Sequence, residues 1–231
     1  MHMKRMNWWR LALAIALGCT GVSSGKEITP QEAYRENSLK AFAEHAKAHP
    51  LPSGGILMLG SSTMSIWAKQ PGLTAREPFI WHGLSGTTYG FLVDNLDRLL
   101  LDYKPSRVIV YSGDNDLGDG RGGEAAAQRV AGHARTLAEQ LRARVPGVRM
   151  TFIAIKKSIK RASAEPVQRQ ANELLKTLAD EAEDVDYLDF SGLLLGPDGQ
   201  PDPACFSPDG LHISKLGYER WSKALSTYLQ E

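Results

Sequence analysis

Four short groups of residues, separated by tens of positions, carry side chains suited to acyl transfer. Ser62 follows the apolar run Ile56 to Leu59 and then Gly60-Ser61, so a buried strand is expected to end in a small-residue turn that presents a hydroxyl. Ser61 and Thr63 offer neighbouring hydroxyls. A serine needs a base to take its proton as it attacks carbon. Of the six histidines, only His212 stands three residues after an aspartate in a turn-forming stretch, Ser207-Pro208-Asp209-Gly210-Leu211-His212. A tight bend there can fold the Asp209 carboxylate onto the imidazole Nδ1 and leave Nε2 for the serine. Donors for a tetrahedral oxyanion are available in three places: the amide of Ser62, the amide of Gly86 and the side-chain amide of Asn115. One preorganised donor of this kind is worth about 3–4 kcal/mol.

Strands and helices must bring these groups together. Residues 26–49 place Tyr34, Leu39, Phe42 and Ala43 at helical spacing after Thr29-Pro30, a cap and first-turn pair, and predict a helix on the flank of the domain. His45 and His49 lie four apart on it, a metal-ligand spacing with no third ligand, and read as surface residues. Strands are expected at 56–59, 78–82, 107–111, 150–155 and 185–190, with a loop from the first to Arg76. Helices are expected from Phe91 to Leu101, Glu124 to Val145, 165–183 and from Ser214 onward. This alternation implies an α/β fold: a three-layer α/β/α sandwich around a mostly parallel five-stranded sheet, flavodoxin-like in plan, with ligands at the carboxyl ends of strands. No GxGxxG or Walker fingerprint follows the first strand, which leaves nucleotide binding without its motif.

In this order and at these places the groups resemble the four blocks of the SGNH hydrolases, the GDSL esterase and lipase family, over nearly all of residues 54–231. Gly60-Ser61-Ser62-Thr63 stands where many members have Gly-Asp-Ser-Leu, keeping the glycine and the nucleophile position. Gly83-Leu84-Ser85-Gly86-Thr87-Thr88 is similar to the second block, Gly113-Asp114-Asn115-Asp116 to the third and Asp209-Gly210-Leu211-His212 to the last. The resemblance implies Ser62 as nucleophile, His212 as base and Asp209 as its acid, with Ser62, Gly86 and Asn115 as oxyanion donors and no cofactor. An α/β-hydrolase elbow is excluded around Ser62, because Met64 occupies a position that Gly-x-Ser-x-Gly requires to be glycine.

The first 18 residues differ from the rest. Lys4, Arg5 and Arg10 accompany the short apolar run LALAIALG, the pattern of an export signal, and Ala16-Leu17-Gly18-Cys19 resembles a bacterial lipobox in which Cys19 is lipidated. A cleavage after Val22-Ser23-Ser24 is the alternative. The expected organisation is a signal peptide over 1–18, a linker and flanking helix over 19–50, and the hydrolase domain over 51–231, exported to a bacterial cell envelope. Without residues 1–18, which carry three basic and no acidic side chains, the balance falls from 27 basic against 26 acidic to 24 against 26. No basic footprint for nucleic acid remains. Cys19 and Cys205 are the only cysteines and form no disulfide framework.

Asp114, Asp116 and Asp119 fail the register of a calcium loop, so no metal is implied, and Asp116 reads as a brace for the loop bearing Asn115. Lys156, Lys157, Lys160 and Arg161 read as a solvated loop in preference to a basic rim for an anionic substrate. The expected substrate is a small-molecule or glycan ester, especially O-acetyl on carbohydrate; Trp67, Trp81 and Tyr89 would suit stacking on a sugar, with a place in the core as the commoner use of such residues. A lysophospholipase or lipase is the alternative within the family, and a catalytically silent envelope binding protein the alternative outside enzymes. The short polar loop Ala68 to Glu77 offers little of the apolar lid a lipase needs.

Overall fold

The computed structural model describes residues 28–50 and 53–230; the export signal and Cys19 lie outside them. Five strands, β1 (Ile56–Gly60), β2 (Phe79–Gly83), β3 (Arg107–Tyr111), β4 (Arg149–Ile153) and β5 (Val185–Leu188), form one sheet in the order β2-β1-β3-β4-β5. Every pairing is parallel, so the sheet expected to be mostly parallel is entirely so. Apolar residues on both faces of each central strand explain why. Leu57, Leu59, Val108, Val110, Met150 and Phe152 enter one core, while Ile56, Met58, Ile109, Tyr111 and Ile153 enter the other.

The first core is covered by α1 (Pro30–Ala48), α3 (Tyr89–Asp94), α4 (Leu96–Leu100), α6 (Gly123–Arg144) and α7 (Glu165–Asp180). The second is covered by α2 (Ser62–Trp67) and α8 (Lys215–Tyr228), and the one-turn α5 (Asp114–Leu117) follows β3. Helix α1 begins at a full capping box, with Thr29 Oγ1 accepting from the Glu32 amide and Glu32 Oε2 accepting from the Thr29 amide at 2.8 Å. Leu39 is its buried residue, whereas Tyr34 is exposed and does not belong to the packed stripe.

Three expectations about the elements change. The stretch after β1 is a helix, α2, before it becomes a loop; six residues are too few to show a period. The helix expected from Phe91 to Leu101 is two, because Asn95 (φ −118°, ψ 16°) leaves the helical region and turns its side-chain amide onto the Phe91 carbonyl at 3.0 Å. Strand β5 ends at Leu188, and the chain leaves through Asp189, whose carboxylate accepts from the Ser191 amide at 2.8 Å.

Candidate active site

The strand register aligns Gly60 with Gly83 on one side and with Tyr111 on the other, so the first three sequence groups leave the sheet at the same end. The turn at Gly60 is tight: any side chain there would run into the Tyr111 carbonyl. The Gly60 carbonyl accepts from the Leu84 amide at 2.9 Å and from Thr87 Oγ1 at 3.1 Å, and the Ser61 amide donates to Tyr111 at 3.1 Å. Ser61 is thereby buried, and Thr63 is buried as well. Ser62 opens α2 half-buried, with its side chain turned to the site; its amide is the first of the helix and has no carbonyl a turn earlier to bond.

Ser62 Oγ lies 3.0 Å from His212 Nε2, and His212 Nδ1 lies 2.5 Å from Asp209 Oδ2. Asp209 Oδ1 accepts from the amides of Leu211, at 2.9 Å, and His212, at 3.0 Å. The Leu211 amide foremost, with the His212 side chain and amide, holds the Asp209 carboxyl well below the usual carboxylate range. An ionised Asp209 fixes the ring with its proton on Nδ1 and leaves Nε2 free to accept from the hydroxyl. The loop closes on itself through the Ser207 amide to His212 O at 2.8 Å and the Gly210 amide to Ser207 O at 2.9 Å.

Gly86 sits at φ +73°, a conformation that suits glycine, and Gln31 of α1 fills the space a side chain would need. Its carbonyl accepts from the Arg35 guanidinium of α1, which also stands 5.0 Å over the Phe91 ring. Asn115 donates from Nδ2 to the Thr87 carbonyl at 2.8 Å, tying the third group to the second. Asp116 adds a second tie by accepting from the Tyr89 amide at 3.1 Å, the bracing expected of it; burial raises its carboxyl above the ordinary value.

The basic run after β4 is not a solvated loop throughout. Lys156 is buried, with Nζ 2.8 Å from Asp114 Oδ2 and 3.1 Å from Tyr111 Oη. Lys157 pairs with Glu165 at 2.5 Å, and Arg161 donates to Asn115 Oδ1 at 3.2 Å; Lys160 alone keeps the exposure expected of all four. The aromatic stack also fails. Trp67 and Tyr89 are fully buried, Trp67 donating to Ser222 Oγ at 2.8 Å, and Trp81 packs its edge against Trp67 at 6.0 Å. No group of three or more metal-ligating side chains occurs among the described residues, and His45 and His49 stack on each other on the exposed side of α1.

The fold is a three-layer α/β protein with a fully parallel five-stranded sheet, and a hydrogen-bonded serine, histidine and aspartate lie at the carboxyl end of that sheet. Residues 58–220 match the model of the GDSL-like lipase/acylhydrolase family, and the chain belongs to that family. No curated protein matches the chain. A Streptococcus pneumoniae protein named for platelet activating factor superposes with a TM-score of 0.74 at 20% identity, covering 86% of this chain and 94% of its own. A GDSL-like lipase from Bacteroides thetaiotaomicron gives 0.68 at 15%, over 83% and 97%. An acetylxylan esterase from Geobacillus stearothermophilus gives 0.58 at 15%, over 78% and 96%. At these identities the likeness is one of fold, and membership of the family makes the chain a hydrolase of ester bonds.

Proposed function

We propose that this protein is an exported serine esterase that removes small acyl groups, O-acetyl foremost, from a carbohydrate or another cell-envelope substrate. The observation that carries the reading is the continuous chain Ser62 Oγ, His212 and Asp209, at 3.0 and 2.5 Å. His212 Nε2 takes the Ser62 proton as Oγ attacks the ester carbonyl, and Asp209 stabilises the imidazolium so formed. The oxyanion is received by the amides of Ser62 and Gly86 and by Asn115 Nδ2, which keeps one hydrogen beyond its bond to Thr87. His212 then returns the proton to the leaving alcohol, and water attacks the acyl-serine by the same route.

Preference for small acyl groups is supported by the course of the loop after α2. Its Thr74 amide donates to Ser226 Oγ near the far end of α8, and Leu73 and Ala75 pack into the second core. Helix α8 starts beside His212 and ends with Tyr228 on Asp186 and Arg107, the amino-terminal side of the sheet. The loop is therefore tied down away from the triad and supplies no apolar lid, and a partly exposed His212 suits a bulky alcohol carrying a short acyl group. The esterase of Geobacillus stearothermophilus and a family 3 carbohydrate esterase of Clostridium thermocellum share the fold and lend the carbohydrate reading support.

The test is hydrolysis of p-nitrophenyl acetate, butyrate and palmitate and of acetylated xylan by wild type and Ser62→Ala. Acetate and xylan turned over, with loss in the variant, are expected. Palmitate preferred would favour the lipase alternative, and folded wild type no faster than Ser62→Ala on every substrate would favour the silent binding protein. Export with lipidation at Cys19 is part of the proposal: metabolic labelling with palmitate is expected in wild type and absent in Cys19→Ser.

A further inference from the structure

Asn115 is gripped at both ends of its amide. Nδ2 donates to Thr87 O at 2.8 Å, while Oδ1 accepts from Arg161 Nη2 at 3.2 Å. Turned over, the amide would set NH2 against a guanidinium N–H and oxygen against a carbonyl, so both contacts select one orientation. In that orientation a single Nδ2 hydrogen remains unspent.

Arg161 reaches this position from a 3-10 turn, Ile159–Ala164, whose backbone leaves helical values at Arg161 itself (φ −117°, ψ 34°). The turn is fastened to both sides of the site. The Lys160 amide donates to Gly210 O, within the Asp209 to His212 loop, at 2.9 Å, and Ser163 Oγ donates to Asp119 O, beyond Asn115, at 3.0 Å. Its neighbours Lys156 and Lys157 have carboxylate partners, but among the described residues none lies within ion-pair distance of Arg161. Its Nη1 is buried with no acceptor. A buried donor left unmatched and a charge left uncompensated both cost stability, and a residue held at such cost asks for a use.

We propose that Arg161 is a positioning residue for ester hydrolysis: it locks the Asn115 amide so that the remaining Nδ2 hydrogen faces the developing oxyanion, and sets an unneutralised positive charge behind that donor. The proposal rests on the esterase reading. Its effect belongs to the transition state, where negative charge forms, and not to ground-state binding.

The experiment compares Arg161→Ala, Arg161→Lys, Asn115→Ala and the double variant Arg161→Ala/Asn115→Ala on p-nitrophenyl acetate, with labelling of Ser62 by a fluorophosphonate run in parallel. Arg161→Ala is expected to lower kcat about 10- to 100-fold with KM nearly unchanged, within the roughly 10²–10³ that one oxyanion donor supplies. Methylguanidinium at a non-denaturing concentration is expected to restore part of the rate to Arg161→Ala and none to Asn115→Ala. Arg161→Lys should fall between wild type and Arg161→Ala, and the double variant should be no slower than Asn115→Ala. A kcat within twofold of wild type, a change confined to KM, multiplicative losses in the double variant, or a loss that follows melting temperature and resists rescue would each overturn the proposal. If no ester is turned over but Ser62 is labelled in a His212-dependent way, the same comparison is made on labelling rates, and indifference to Arg161 there sinks this proposal alone. Ser62 that never labels removes the esterase reading and this one with it.

Discussion

The two walls of the site are built on different length scales. On one side, Asp209 and His212 stand three residues apart in a loop whose turns close through bonds within residues 207–212, with the Lys160 amide on Gly210 O as the outside backbone tie, and the carboxylate that orients the imidazole is held by two amides just after it. On the other side, Gly86 and Asn115 come from the ends of different strands. They are tied through Thr87 and gripped by Arg35 and Arg161, which lie 51 and 46 positions away from their partners. A wall closed over six residues needs little from the rest of the fold. A wall assembled from two strand ends, α1 and a 3-10 turn inherits the stability of everything that packs them. Substitutions in the first wall are therefore expected to remove chemistry and leave stability, whereas those in the second should trade the two.

The sharpest break comes from the local wall. His212→Ala is expected to reduce kcat by about 10⁴-fold or more, as loss of a triad base does, with the melting temperature within a few degrees of wild type because the ring is half-exposed. A comparable loss of stability would show that the loop is not self-sufficient. Asn115→Ala should cost about 10²- to 10³-fold in kcat, and also lower the melting temperature measurably, since the Thr87 carbonyl loses its donor and Arg161 its acceptor. An unchanged melting temperature would place Asn115 with the local wall.

The long-range wall also carries a pH dependence. His82 on β2 is buried, stacks on Phe42 of α1 at 4.2 Å and donates from Nδ1 to the Leu99 carbonyl at 2.6 Å. Burial lowers its pKa to about 4 from an ordinary 6.5. Between these values the unfolded chain binds a proton that the native state refuses, so stability falls as pH drops from 6.5 towards 4, by roughly 3 kcal/mol in all. Urea midpoints at pH 7 and pH 4.5 measure this fall, and His82→Phe is expected to flatten it. An equally steep fall in the variant would assign the dependence to other groups.

The same division of length scales decides what could be read from the chain alone. The ends of the first three strands, the turn glycines and the Asp-x-x-His loop are local patterns, and each is found within a residue of where the sequence implies. Lys156 read as solvent-exposed because its partners, Asp114 and Tyr111, are 42 and 45 positions away. Trp67 offered both a sugar platform and a core residue, and the choice went unmade because Ser222, which takes its indole N–H, is 155 positions away. Arg161 stood in a run of cations with no local sign that it would turn inward to Asn115, and Arg35 lay on a helix with no apparent link to the site. Long-range pairs leave no periodic trace; only the fold brings them together.

Arg35 gives the smallest expected effect and the finest discrimination between the walls. It lies outside the 58–220 stretch that matches the family, on a helix held by Leu39 in the first core and by the two-pronged Glu36–Arg98 pair at 2.7 and 2.9 Å. Its bond to the Gly86 carbonyl fixes the peptide that follows the proposed donor amide, and does so without touching substrate. Arg35→Met keeps most of the side chain's bulk over Phe91 and removes only the donor. The expected result is a fall in kcat of about 10-fold or less, with KM steady and a modest drop in melting temperature, because a misoriented donor weakens transition-state stabilisation while ground-state contacts survive. Glu36→Gln supplies the contrast: it loosens α1 by removing a solvent-exposed, weakly stabilising pair and leaves Arg35 in place. If Glu36→Gln lowers kcat as much as Arg35→Met does, the helix acts on Gly86 through its docking as a whole. If only Arg35→Met is slow, a single hydrogen bond from α1 sets the long-range wall.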